Sequence, residues 1–447
     1  MIRNVDPTLQ SERKLRIYSN RGEISPSFLS SYPEVAILTD EEPFYYETWK
    51  DLAQGILSGT ETRDILVGST NIIDFATIME KEYAYPLNDS AFIQDHLSSM
   101  YPYLQEGLTL KGNIYAIPLD VRASVEYGYN QKNFETLGIQ NVPTTLMDFL
   151  DLYQWWLSEG QLQYPDYYFA SYPLDKISLI DLVFNMYVRY YQDIQEPLHF
   201  DTPLFRDLIS KILSLDAHIS NLHELTDDQA LEIMGNENVL IYSGYRRDAL
   251  SPTSGNTPTS STPNALPLML SLEEGKNPSL YVVANIVYIN PRGENKELAI
   301  AYLESLLMDS SNKEKVSFYP DYDMPIPLSQ VDSNSTALQE KLAAYRQELQ
   351  NAQPQDKAPL EEEILFLTRQ LEETEIQWDV SPSSLILYQK LLPFLSLSPT
   401  VPSSSPGLEG DVNFYLLAMQ LLEGSISLDQ YIDQINQRAR IIIGERE

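Results

Sequence analysis

At 447 residues the chain is too long for one compact core, and its 43% apolar content is enough to fill two. Lys and Arg number 30 against 64 Asp and Glu, and the formal charge of −34 repels phosphate backbones and anionic lipid heads, so no nucleic acid or membrane-surface partner is expected. With no cysteine, disulfides, thiolate metal sites and cysteine nucleophiles are excluded, and no run of about 18 apolar residues is present to span a membrane.

Residues 15–18 read as a strand closed by the polar loop 19–22, and residues 35–38 as a second strand. Between 45 and 57, the spacing of Tyr46, Trp49, Leu52, Ala53 and Ile56 makes one apolar helix face, stopped by Gly59. Residues 64–67 form a strand of buried type that ends in Gly68-Ser69-Thr70-Asn71, and a helix over about 74–81 follows. Strands and helices in quick alternation predict a parallel sheet covered by helices.

The stretch 104–130 organises what comes next. A short strand over 114–117 is entered by the turn pair Gly112-Asn113, and Pro118 then removes a backbone donor, so the strand is expected to stop there. A second strand over about 124–129 ends at Asn130. Two readings stand: a crossing between two sheets, or an ordinary edge strand carrying a proline. A helix then closes at Leu137-Gly138, and Thr145 with Asp148 three residues on forms a capping-box pattern ahead of an apolar face of Leu146, Phe149, Tyr153 and Trp156. Helices are also expected through Leu179 to Tyr187 and over 205–215, and a strand over 239–242. Residues 251–267, rich in Ser, Thr and Pro, read as a surface loop. Residues 281–289 make a long β-branched strand and a second candidate crossing, followed by a helix over 296–308. Three prolines in 319–327 mark a third connection. Residues 338–349 and 360–374, split by Pro354 and Pro359, predict a charged antiparallel helical hairpin. Two helices, 414–422 and 428–440, end the chain.

The order of these pieces resembles the extracellular solute-binding proteins of bacterial ABC importers, family 1, the sugar-binding-protein-like group. The resemblance is carried by Asp64-Ile-Leu-Val-Gly-Ser-Thr70, and by Lys111-Gly-Asn-Ile-Tyr-Ala-Ile-Pro118 with Gly128-Tyr-Asn130 and Leu137-Gly-Ile139. Further along it is carried by Asn295-Lys-Glu-Leu-Ala299 with Ala301-Tyr-Leu-Glu-Ser305, and by Ile426-Ser-Leu-Asp-Gln430 through Ala439. The hairpin with Trp378-Asp-Val-Ser-Pro-Ser-Ser384 is similar to a subgroup of gut Firmicutes. Each motif is degenerate, so the specificity lies in their order from Leu15 to Ala439.

The resemblance implies an α/β, type II periplasmic-binding-protein-like fold: two α/β lobes joined by hinge strands, with a helical hairpin insertion near the C-terminus. Residues 1–119 and 286–322 are expected in the first lobe, and 120–285 and 323–447 in the second, with the hairpin, 335–375, inside the second. The function implied is that of the substrate-binding component of an ABC importer, which closes on a small solute in the interlobe cleft and delivers it to the permease membrane subunits. No cofactor or metal is expected, and a monomer is. The family's signal peptide and lipidation cysteine are missing from the sequence, and the native form is expected outside the cell on a lipid anchor.

Polar and aromatic residues just after strands are the candidate solute ligands, since open α/β sheets bind at the carboxyl ends of their strands. From the first lobe these are Asn20, Arg21, Glu42, Tyr45, Ser69, Thr70 and Asn71, with Asp120 and Arg122 from the crossing. From the second come Tyr172, Tyr242, Ser243, Gly244, Tyr245, Asn413 and Tyr415. Flat aromatic faces and planar polar groups suit a neutral carbohydrate, and Gly244 would let it approach the backbone beside Tyr242 and Tyr245. Most of the 30 tyrosines must be structural. An amino-acid or peptide ligand, held by Arg21 or Arg122 with Asp120, is the alternative within the same fold.

A glycoside hydrolase working through two carboxylates is the competing enzyme class, but among 64 acidic residues some pair meets that spacing by chance. No Gly-x-Ser-x-Gly, His-Glu-x-x-His or phosphate-loop string occurs, and His218 and His223 are poorly spaced for a metal pair on one helix face. A scaffold whose charged hairpin docks a partner is the third class, with a merely solvated hairpin as its bland counterpart.

Overall fold

The computed structural model describes residues 13–18, 25–40, 54–56, 58–70, 75–172, 174–194, 196–219, 238–243, 250, 265–278, 280–327, 333–352, 357–372, 378–397 and 414–444. The chain divides into two compact units, one made of Met1–Ala123, Ala249–Pro252 and Val282–Thr400, the other of Ser124–Asp248, Thr253–Tyr281 and Val401–Glu447. The first strands are β1 (Lys14–Tyr18), β2 (Ala36–Asp40), β3 (Ile65–Ser69), β4 (Thr109–Leu110), β5 (Asn113–Ile114) and β6 (Ile117–Ser124). They are followed by β7 (Tyr127–Asn130), β8 (Tyr168–Ala170), β9 (Val239–Ser243), β10 (Ala265–Pro267), β11 (Tyr281–Ile289), β12 (Ile326–Pro327) and β13 (Trp378–Val380).

In the first unit the sheet order is β2-β1-β3-β11-β6. β1 lies parallel to both β2 and β3, as strand–helix alternation predicts, and β11 runs antiparallel to β3 from Asn285↔Ser69 to Ile289↔Ile65. β3 is buried along its whole length, which is why it reads as an unbroken apolar run. Helix Pro26–Ser31 seals one face by setting Phe28 edge-on to Tyr302 of helix Lys296–Met308, ring centres 5.1 Å apart. Pro118 does not stop its strand: β6 begins at Ile117 and runs through it. The order of the sheet explains this, because β6 is an edge strand and a proline there can sit without robbing the ladder of a bond. The chain still passes from one unit to the other at the end of β6, between Ala123 and Ser124.

One buried carboxylate joins three parts of this unit. Asp64 is 3% exposed. Its Oδ2 accepts from the Arg16 amide at 3.0 Å, and its Oδ1 from the amides of Glu294 and Asn295 at 2.9 and 3.1 Å. It therefore caps, from a distant strand, the start of a helix whose own Asn295 makes no side-chain cap. Nearby, Glu61 and Arg63 pair side-on, Nε to Oε1 at 2.8 Å and Nη2 to Oε2 at 2.6 Å, with the guanidinium over the Tyr18 ring. Burial alone would raise the Glu61 carboxyl, but the bonds from Arg63 hold it below its ordinary value.

The hairpin consists of helices Ser333–Asn351 and Lys357–Glu372, joined by an apolar cluster of Leu342, Ile364, Leu367, Leu371 and Trp378. Pro359 sits in the first turn of its helix, where a missing N–H costs nothing. The hairpin and the segment 323–400 belong to the first unit, not to the second as expected, and the proline-rich connection 319–327 does not leave that unit. The reason is pairing the sequence does not advertise: β12 pairs with β13, and the buried hydroxyls of Tyr103 and Tyr388 both donate to the Ser317 carbonyl, at 3.2 and 3.0 Å.

The second unit has the sheet β10-β7-β9-β8 under helices Leu146–Trp155, Lys176–Asp193, Pro203–Ser214, Phe414–Leu422 and Leu428–Gly444. The capping box is formed, with Thr145 Oγ1 accepting from the Asp148 amide and Asp148 Oδ2 from the Thr145 amide, both at 3.1 Å. Gly138 takes φ +71°, the left-handed value that ends helix Gln131–Thr136. Inside, Phe184 lies 5.1 Å from Phe200 and 4.6 Å from Phe414, so the C-terminal helices complete this core. The expected helix over 45–57 lies mostly outside the described residues.

Asp64→Ala should cost about 3–5 kcal/mol, because it leaves three backbone N–H groups without their carboxylate. Urea denaturation measures this; a loss below about 1 kcal/mol would show that water replaces the carboxylate.

Candidate functional site

In the first unit the carboxyl end of β3 carries a graded set of polar side chains. Thr70 lies one residue past the strand, yet its amide donates to the Ala284 carbonyl at 2.9 Å and its Oγ1 accepts from the Ala284 amide at 3.0 Å. The hydroxyl thus stands in for a backbone carbonyl and extends the ladder by one rung. Ser69 faces Asn285 in register. The Asn285 Nδ2 donates to both oxygens of Asp120 on β6, at 3.0 and 2.9 Å. Arg122, two residues further and so on the same face of β6, brings Nε to 3.7 Å from Asp120 Oδ1.

Exposure rises along this series. Asn285 is 5% exposed, whereas the Asp120 side chain is at 18% and that of Arg122 at 51%. A buried amide fixes the carboxylate, and the carboxylate steadies a guanidinium at the rim. Such an arrangement holds acceptor oxygens and a planar donor in fixed positions, so that a ligand would meet them with little reordering. Ser69, Thr70, Asp120 and Arg122 are thus neighbours at this end of the sheet. Asn285, which links them, was missed. Its signal was available: it is the one polar residue in the apolar run Tyr281-Val-Val-Ala-Asn-Ile-Val-Tyr-Ile289.

In the second unit, β8 and β9 run parallel and end at Ala170 and Ser243. Tyr172, two residues past β8, is 42% exposed and offers an aromatic face at that edge. Tyr242 is different: it is 6% exposed and lies opposite Gly128, where no side chain competes for space. Its hydroxyl oxygen accepts from Asn130 Nδ2 at 3.2 Å, and Asn130 in turn caps helix Gln131–Thr136 through Oδ1. Tyr242 is thus part of an internal amide network that also includes Asn133, whose Nδ2 donates to the Val239 carbonyl at 2.8 Å. Tyr153 is another tyrosine spent on structure: it donates to the Leu174 carbonyl at 2.6 Å, and burial pushes its hydroxyl up to about 12.

Tyr415 belongs to the helical layer. Half-buried on helix Phe414–Leu422, it lines a cavity of about 250 Å3, counting the part open to solvent, with Ile177, Asp181, Phe184 and Tyr431. The backbone of Ser243 ends β9. Asn20, Arg21, Glu42, Tyr45, Asn71, Gly244, Tyr245 and Asn413 lie outside the described residues. Among the described residues no group of three or more His, Asp or Glu side chains is placed to hold a metal ion.

Neither a scan against family models nor a comparison with curated proteins finds a match. Solved structures do match, over nearly the whole of both chains. A solute-binding protein of an ABC transporter from Agrobacterium radiobacter K84, in complex with ribitol, superposes with TM-score 0.56 at 13% identity, covering 97% of this chain and 99% of the other. The maltose-bound MalE3 of T. maritima gives 0.55 at 15%, with 96% and 99% covered. A solute-binding protein from Agrobacterium vitis S4 with bound D-mannitol gives 0.53 at 12%, with 97% and 99% covered. The chain has the α/β periplasmic-binding-protein-like fold, with one mixed sheet in each of its two units.

Proposed function

We propose that the protein is the solute-binding component of an ABC importer and that its solute is a neutral saccharide or polyol. The observation that carries this reading is the near-complete superposition on solute-binding structures that hold ribitol, maltose and D-mannitol. The strand-end chemistry agrees with it. Asp120 would accept from sugar hydroxyls, Arg122 would donate to them, and Tyr172 would stack on a C–H face. In this reading strand-end residues engage the solute, and the loaded protein is the form presented to the permease. On the same reading the protein works as a monomer without chemistry, held outside the cell by a lipid anchor, and the likeness of the hairpin with Trp378 to Ser384 to that of the gut Firmicutes subgroup supports membership there.

A thermal-shift panel of saccharides, polyols, amino acids and peptides tests the reading. A true solute at one hundred times its Kd should stabilise the folded state by about 2.7 kcal/mol. Hits confined to peptides or amino acids would replace the carbohydrate assignment with the Asp120–Arg122 pair acting on a zwitterion, and turnover of a saccharide would replace binding with hydrolysis. With the solute found, Asp120→Ala and Tyr172→Ala should each weaken it about tenfold or more, the worth of one charged hydrogen bond or one stacked ring. Unchanged affinity in both variants would remove these residues from the site.

Asn285→Asp tests the geometry beneath Asp120. It sets a second carboxylate about 3 Å from the first, so that one of the pair titrates above its unfolded value. A carboxyl raised in the folded state favours folding at low pH and loses that contribution as pH rises. The variant should therefore be destabilised by about 2 kcal/mol more at pH 7 than at pH 4, read from urea unfolding at both. Equal losses at the two pH values would mean that the side chains are not in contact.

A further inference from the structure

The hairpin of the first unit contains buried donors that the proposed solute site does not use. Arg346, on helix Ser333–Asn351, is 6% exposed. Its Nη1 donates to the Asp323 carbonyl at 2.5 Å, whereas Nε and Nη2, on the other edge of the guanidinium, are buried with no hydrogen-bond partner among the described residues. Gln339 lies two helical turns earlier on the same face, and its Nε2 is buried in the same condition. So is Nε1 of Trp378, which shares an apolar cluster with Leu342, the residue between Gln339 and Arg346 on that face. Burial lowers the Arg346 pKa, and the charge of Asp323 offsets this in part.

These four nitrogens are all donors, and their geometry selects among acceptors. Nε and Nη2 form the side-on fork of an arginine, which matches two oxygens on one carbon. The same chain shows that fork in use, where Arg63 holds Glu61 by the same two nitrogens. A carboxylate has two oxygens with about four lone-pair sites, enough for the fork and for two further N–H groups. A chloride can accept both N–H groups of the fork but would have to gather all four donors on one point, whereas a carboxylate divides them between two oxygens, and one water accepts only two bonds. A dianion would also bring more charge into a chain that already carries −34.

We propose that this face of the hairpin is a binding site for a small monocarboxylate, gripped side-on by Arg346 with Gln339 and Trp378 donating to the same two oxygens. It is separate from the saccharide reading and does not depend on it.

The test uses the full chain with 15N-labelled tryptophan and follows the indole N–H signals by NMR. The chain has four tryptophans, and Trp378→Phe identifies the relevant signal by its loss. Sodium acetate is titrated against sodium chloride at matched ionic strength, with inorganic phosphate as a third arm. The Trp378 signal should move saturably with acetate and not with chloride. Arg346→Lys should raise the acetate Kd at least tenfold, because an ammonium cannot present a fork. Gln339→Leu should weaken acetate with the other indole signals unmoved, which keeps the test valid if the arginine variant does not fold. An acetate response that is absent, matched by chloride, or unchanged in both variants overturns the proposal. Tighter binding of phosphate than of acetate overturns the carboxylate assignment.

Discussion

The first unit depends on one strand inserted from far along the chain. β11 pairs antiparallel with β3 and is bonded on its other side to β6, so it holds the parallel half of the sheet to its edge. Its nine residues are almost wholly apolar and residues 282–289 are buried, which makes the pairing strong enough to close so long a loop. What matters for function is the exception. The single amide in that strand sits where β3 ends, and it sets the orientation of the carboxylate on β6. At its other end the same strand leads into the turn that Asp64 secures. A scaffold pairing thus places a polar chain that runs from interior to rim at this edge of the sheet.

The tyrosines show how an apparently ligand-rich composition is spent. Tyr103 and Tyr388 share one carbonyl, Tyr153 closes on another, and Tyr242 is absorbed by asparagines. In each case a large ring fills a core position and its hydroxyl still finds a partner, which is the condition for burying it. Tyr172, by contrast, is 42% exposed at a strand end.

Much of the architecture could be read beforehand because it rests on local rules. The buried run Ile65 to Val67, the capping box at Thr145 and Asp148, and the glycine stop at Gly138 each express a short-range preference, and each is realised. What escaped was long-range. The proline at 118 says that its strand has a free edge, but not that the strand stops. The hairpin's periodicity shows two helices, but its attachment is decided by Ser317 and Tyr103, which are remote in sequence. Tyr242 looked promising for the same reason: nothing local reveals that a glycine opposite lets its ring lie inward toward Asn130.

The interleaving of the two units has a consequence for synthesis on the ribosome. The amino-terminal 123 residues contain four of the five strands of their sheet, yet the fifth, which lies between β3 and β6, arrives only with residues 281–289, after most of the other unit has emerged. Until then β3 and β6 each expose an unpaired apolar border, the kind of surface that recruits neighbouring nascent chains. The waiting time, at about 5–20 residues per second, is on the order of ten seconds or more. A chaperone that holds the nascent chain over that interval would shield both borders until β11 arrives.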